Sequence, residues 1–199
     1  MLNSQLIKIH IQLFLIAPRF IYRQNINEFQ SWVSKCGMIF ENSSSTVESK
    51  IIENDDMDYE YSVGFPDKIF DLRYAIRPIR YKAYENDIVK QEMETLRSFR
   101  NSSFEMVVHM IILNITGGVE YEIRVFDADA VKNEFRAGWG ATTWVELNSD
   151  FGKGYKNCMI VAIHKKDVAD AYCFYLADTK QTILENMDPL FHTLRFDME

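Results

Sequence analysis

Between Lys68 and Lys82 the chain has residues of the right type and spacing to hold an anion: Lys68, Arg73, Arg77, Arg80 and Lys82 stand against a single acid, Asp71. Guanidinium groups make charge-assisted, often bidentate hydrogen bonds to phosphate and carboxylate, so several of them on one strand face form a receptor. The apolar alternation here changes phase near Pro78, from Phe70, Leu72, Tyr74 and Ile76 to Ile79 and Tyr81. A bulge at Pro78 would restore the phase and bring Arg73, Arg77, Arg80 and Lys82 to one face, with Tyr74, Tyr81 and Tyr84 interleaved as stacking surfaces. The competing reading is a half-buried strand whose arginines snorkel to solvent and pair with nearby acids.

Those acids lie immediately upstream. Residues 41–67 contain one base, Lys50, and eight acids, among them Glu53, Asp55, Asp56 and Asp58, so this stretch carries the whole formal charge of −7. It reads as a mobile acidic segment suited to a partner with a basic surface, because charge complementarity raises association rates. Broad nucleic-acid binding is disfavoured, since it rests on an excess of Lys and Arg that neutralises phosphates.

Other chemistries find less support. Glu120, Glu122 and Arg124 share one face of an expected strand, followed by a helix and another strand. Metal-dependent nucleases hold Mg²⁺ with an acid and an ExK tripeptide on such a frame. Here the Lys position is Arg124, which cannot give up a proton near neutral pH, and no Asp ends the preceding segment. His10, His109, His164 and His192 stand singly, without zinc-binding spacing, and His109 reads as a core residue of an apolar strand. Cys36, Cys158 and Cys173 share no metal or redox motif, and neither a GxSxG elbow nor a phosphate-binding loop is present. No metal or cofactor is expected. Trp139, between Gly138 and Gly140, is either packed against a helix or a partner-facing anchor.

The elements that would carry these residues can be read from periodicity. Leu6 to Ala17 alternates apolar and polar residues, which predicts a strand rather than a signal peptide or membrane span. Asn25 followed by Glu28 caps a helix over Ile26–Cys36, closed by Gly37. Two short strands are expected between Met38 and Tyr61, and a bulged strand from Ile69 to Tyr84. A second helix runs from Asp87 to Arg100. Phe104 to Ile115 then reads as a strand buried on both faces, turned by Thr116, Gly117 and Gly118 into a partner with Val119, Tyr121, Ile123 and Val125 inward. Asp127 or Asp129 caps a short third helix. Strands follow at Thr142–Leu147, Asn157–His164 and Ala171–Leu176, and a helical turn or two at Lys180–Met187.

With 199 residues, 47% of them hydrophobic, the chain can bury a core without disulfides or metal. The order predicts an α+β fold: one domain over residues 1–199, a mostly antiparallel sheet with three main helices packed on one of its faces. Free thiols suit a reducing compartment, the cytoplasm. The expected function is that of a soluble intracellular binding or inhibitory protein, engaging a basic partner through Glu53, Asp55, Asp56, Asp58 and Trp139, or a small anionic ligand through Arg73, Arg77, Arg80 and Lys82. The alternative is a nuclease-like or phosphate-handling hydrolase using Glu120 and Glu122 with Arg73, Arg77 and Arg80.

Overall fold

A computed structural model describes residues 25–66, 69–79 and 87–198. The strand expected over Leu6–Ala17 lies outside them, as do Arg80 and Lys82. The order is helix α1 (Ile26–Lys35), strands β1 (Met38–Phe40), β2 (Val47–Glu48), β3 (Tyr61–Gly64) and β4 (Phe70–Pro78), helix α2 (Asp87–Thr116), then β5 (Ile123–Val125). A short α3 (Ala128–Ala130) runs into a π-helical turn (Val131–Phe135). There follow β6 (Trp139–Glu146), α4 (Ser149–Gly152), β7 (Asn157–Lys165), β8 (Ala169–Ala177), α5 (Lys180–Met187), a 3₁₀ turn (Asp188–Leu190) and β9 (Leu194–Phe196).

Seven strands form one sheet in the order β2-β3-β4-β8-β7-β6-β5, and β1 pairs with β9 in a separate ribbon. Every neighbouring pair is antiparallel. The fold class is therefore α+β with an antiparallel sheet, as the sequence predicts. The layering differs from the expectation, because helices cover both faces. On one side α1, α5, the β1–β9 ribbon and the π-helical turn bring Phe29, Val33, Ile183 and Phe135 against residues such as Tyr74 and Tyr175. On the other, α2 contributes Val108, Ile111, Ile112 and Ile115, and residues 57–59 and α4 add Met57, Tyr59 and Phe151, over Ile160, Ala162 and Phe174. Strand β8 is buried along its whole length, which accounts for its continuous apolar run.

Helix α1 starts where its cap requires: the Asn25 side chain accepts the Glu28 N–H at 2.9 Å, and Gly37 leaves the helix at φ 70°. Helix α5 begins in the same way, with Thr179 Oγ1 accepting the Thr182 N–H at 3.1 Å.

The largest correction concerns Phe104–Ile115, which continues α2 and is not a strand. Its buried residues Val108, Ile111, Ile112 and Ile115 recur at threes and fours, a helical stripe hidden within an apolar run that also fits a two-faced strand. The Thr116 hydroxyl donates to the Ile112 carbonyl at 2.8 Å and accepts from the Gly118 N–H, and Gly117 and Gly118 take φ of 75° and 98°. Thr-Gly-Gly is thus a helix stop, not a hairpin turn. Val119 and Val125 are exposed rather than inward, and only Ile123–Val125 pairs with β6. His109, expected in the core, is exposed on α2, with Nδ1 2.7 Å from the Tyr121 hydroxyl.

Strand β4 carries a second correction. Its register with β8 runs unbroken from Phe70–Ala177 to Pro78–Ala169, so no bulge interrupts it at Pro78. The strand ends at that proline instead.

Candidate functional site

Antiparallel register sets four chemically distinct side chains in a line across the sheet. Trp139 on β6 lies opposite His164 on β7, His164 opposite Asp170 on β8, and Asp170 opposite Arg77 on β4. Residues directly opposite point to the same face. The row faces α2, whose Arg100 and Phe104 meet it from above.

Two contacts fix the imidazole. The Nδ1 atom of His164 lies 2.7 Å from Asp170 Oδ1, and its ring stacks on Phe104 at 4.0 Å with 9° between planes. Phe104 in turn meets Trp139 edge to face at 5.0 Å. A carboxylate on Nδ1 favours the tautomer with the proton there, in which Nε2 is the acceptor nitrogen of the ring. Asp170 is almost fully buried and also accepts from Arg100 Nη2 at 3.0 Å, while the same guanidinium donates to the Pro78 and Arg77 carbonyls at 2.5 and 3.1 Å. Tyr172, one step along β8 on the same face, is buried, and its hydroxyl makes no hydrogen bond among the described residues. Burial holds that phenol well above its ordinary pKa.

The row opens to solvent as a cleft between α2 and the β7–β8 turn. Asp167 occupies the left-handed region at φ 63°, and its carboxylate accepts from Arg97 Nε at 2.7 Å and Asn101 Nδ2 at 2.6 Å. These hydrogen bonds pull its pKa below the usual carboxylate value. The helix therefore clamps the turn that sets the height of His164 and Asp170. Arg97 also pairs with Glu94 at 3.1 Å; Lys166, exposed on the cleft wall, forms no ion pair among the described residues. Gly140 supports the floor from behind: a Cβ there would meet Phe126 at 3.1 Å and Val131 at 3.2 Å, so the segment after β5 can close on β6 only without a side chain at that position.

Trp139 is the sequence-expected residue that reaches this cleft, half-buried and packed on α2 rather than on the third helix. Arg73 and Arg77 share the same sheet face by ordinary alternation, and both guanidinium groups are buried with acceptors of the protein itself. Arg73 donates to Asp71 at 2.9 Å and to the Phe151 carbonyl at 2.5 Å, between the rings of Tyr59 and Phe151. Arg77 donates to Glu60 and to the Asp58 carbonyl, each at 2.6 Å. Glu122 and Arg124 are about three-quarters exposed and 3.7 Å apart, and Glu120 is exposed. Four strand spacings of about 4.8 Å separate β5 from β4, so these acids and the arginines do not share a pocket. Among the described residues no three His, Cys, Asp or Glu side chains cluster closely enough to hold a metal ion. Cys36, Cys158 and Cys173 are buried, and burial raises the Cys173 thiol to about 12, far from a nucleophile's range.

The acidic stretch divides into anchors and a free surface. Glu60 is buried on Arg77 and the Ile76 N–H, and Asp56 is buried with its carboxylate accepting from Asn148 Nδ2 at 2.7 Å. Asn148 escaped the sequence reading, although Asn before Ser-Asp is a helix-cap signal. It caps α4 through the Asp150 and Phe151 N–H groups and donates to the Asn114 carbonyl, tying α2, α4 and the acidic stretch together. Glu53, Asp55 and Asp58 are exposed. Asp56→Ala is expected to cost about 1–3 kcal/mol in urea unfolding, the range for stranding a buried polar partner. Neutralising Glu53, Asp55 and Asp58 together should change stability by about 0.5 kcal/mol or less per site. Equal losses from both variants would refute this division.

Among the described residues no helix is long and apolar enough to cross a membrane. No known family model matches the chain, and no curated protein matches it.

Proposed function

We propose that this chain is a non-catalytic binding protein whose cleft takes a small ligand combining a flat unsaturated ring with one negative charge. The observation that carries this reading is the stack Trp139–Phe104–His164, with the imidazole locked on Asp170 beside Lys166. Aromatic faces accept a planar ring, Nε2 of a positioned imidazole supplies one directional hydrogen bond, and Lys166 supplies the charge. Asp170 holds His164 as an orienting carboxylate holds a catalytic base, but no hydroxyl or thiol is hydrogen-bonded to the imidazole among the described residues. That favours recognition over nucleophilic chemistry.

A panel of aromatic carboxylates and mononucleotides, followed by thermal shift and tryptophan fluorescence, tests this directly. A ligand that binds should lose about tenfold or more in affinity in Trp139→Ala and in His164→Ala, and little in Trp144→Phe. Absence of binding across the panel, or binding unchanged in Trp139→Ala, overturns it.

A second reading is favoured by the exposure of Glu53, Asp55 and Asp58 on an anchored segment: a partner protein with a basic surface would meet them, with association slowed by salt.

A further inference from the structure

The floor of the cleft continues inward under α2, away from the β7–β8 turn. One row beyond His164 and Asp170, the register sets Ala162 of β7 and Ala75 of β4 on either side of Tyr172, with Ala141 of β6 next to Ala162. These three neighbours end at a methyl group, so Tyr172 is the long side chain of that part of the sheet. It is 1% exposed, and its hydroxyl has no hydrogen-bond partner among the described residues.

That hydroxyl is directed back toward the cleft. Tyr172 stands midway between the rows of Arg77 and Arg73, yet the charges that act on its phenol are those of Asp170, Arg100 and Arg77, all at the cleft end of the face. His164 is its diagonal neighbour on that side, and diagonal neighbours lie about 7–8 Å apart, within reach of an aromatic side chain. A phenol can donate one hydrogen bond and accept two, and buried polar groups are nearly always paired. An unpaired one beside a cleft is therefore a group to which a bound molecule can bring the partner.

Resting on the cleft reading above, we infer that Tyr172 is the inner hydrogen-bonding group of this site and that the ligand is a para-substituted ring acid, its charge at Lys166 and a neutral hydroxyl or amide group at Tyr172. From residue 166 to residue 162, opposite Tyr172, the chain covers about 13 Å. A single benzene ring with polar groups at its two ends, and a hydrogen bond of about 2.8 Å at each, spans that distance. The inner group is neutral because the cations around it are committed: Arg77 donates to Glu60 and the Asp58 carbonyl, and Arg100 to Asp170 and the Pro78 carbonyl. Asp170 would also repel a second carboxylate. Entry needs the half-buried Phe104 ring to swing off the imidazole, where the ring of the ligand then takes its place.

Isothermal titration of the full chain with benzoate, 4-hydroxybenzoate and 4-carbamoylbenzoate tests this assignment. The two substituted acids should bind about tenfold more tightly than benzoate. Tyr172→Phe should bring them down to the affinity of benzoate, and it should melt no lower than the parent, because it removes a hydroxyl that has no partner to lose. Equal affinities for the three acids, with binding still weakened in Trp139→Ala, would overturn the assignment and leave the cleft reading standing. Failure of all three to bind would overturn it as well, the cleft reading then being decided by the wider panel. A preference that survives Tyr172→Phe counts against it equally. So does a Tyr172→Phe variant that melts several degrees lower, which would mean that the hydroxyl is already engaged within the protein.

Discussion

Replacing Arg77 with methionine should destabilise the protein by about 3–5 kcal/mol, the usual cost of stripping a buried ion pair of one partner. Arg77 is 4% exposed and Glu60 2%, and Glu60 accepts both from Arg77 at 2.6 Å and from the Ile76 N–H at 2.8 Å. Burial already raises the Glu60 pKa, and Arg77 is the main influence holding it down. A carboxyl raised in the folded state makes folding take up a proton, so its contribution to stability is largest at low pH and declines as pH rises through the folded pKa. Without Arg77 that pKa climbs further, and the variant should regain stability on acidification from neutral pH. Urea unfolding of Arg77→Met at two pH values on either side of neutrality checks the sign. Adding Glu60→Gln should restore most of the loss, because the amide oxygen can still accept the Ile76 N–H. A loss below about 1 kcal/mol would mean that this pair is not the buried contact described.

Ile112→Glu is expected to be at least as damaging. Ile112 is fully buried between α2 and the sheet, and the substitution removes a branched side chain while forcing a carboxyl into an apolar layer with no partner. The loss should exceed about 4 kcal/mol and leave little folded protein in a chain of ordinary stability. Met106→Glu, six residues away, about 120° around the helix and 45% exposed, should fold normally. In a strand these two residues, an even number apart, would share a face and respond alike. Their contrast is therefore a test of the helix itself, read by thermal unfolding.

That contrast also marks where sequence reading works on this chain and where it fails. Helix α1 was legible because a polar cap stands before it and its apolar stripe is narrow, whereas α5 showed only as a helical turn or two. Strands β6, β7 and β8 were legible because their runs are short and bounded by turns. The second half of α2 was not, since it is apolar on two sides: one stripe faces the core and the other faces outward, and together they imitate a strand buried on both faces. Strand β9 has three residues, and its partner β1 lies some 150 residues earlier, a pairing that no local pattern reveals. For the site, Gly-Trp-Gly drew attention to Trp139, whereas His164 and Asp170 looked unrelated. The signal that joins them is the turn at residues 166–168, which folds β7 back so that residues equidistant from Asp167 meet. In the arginine stretch, alternation shows which residues share a face and says nothing about whether that face is covered, as it is at Arg73 and Arg77.

The interior position of β4, between β3 and β8, has a further consequence, for the order in which the molecule can be assembled. Strands β6, β7 and β8 form a meander of neighbours, but β4 joins it by pairing with residues roughly 100 positions later, Phe70 with Ala177 and Pro78 with Ala169. Such distant pairing gives a high contact order and slow closure. During synthesis the β3–β4 hairpin emerges with one edge unpaired and waits, while α2 and three more strands are made, until β8 has left the ribosome. In that interval a row of backbone donors and acceptors, flanked by Phe70, Leu72, Tyr74 and Ile76, is open to the wrong neighbour. The hazard to this protein thus lies in the interval of its own synthesis, and sheltering residues 61–78 during that interval is expected to raise its yield without touching the stability of the finished fold.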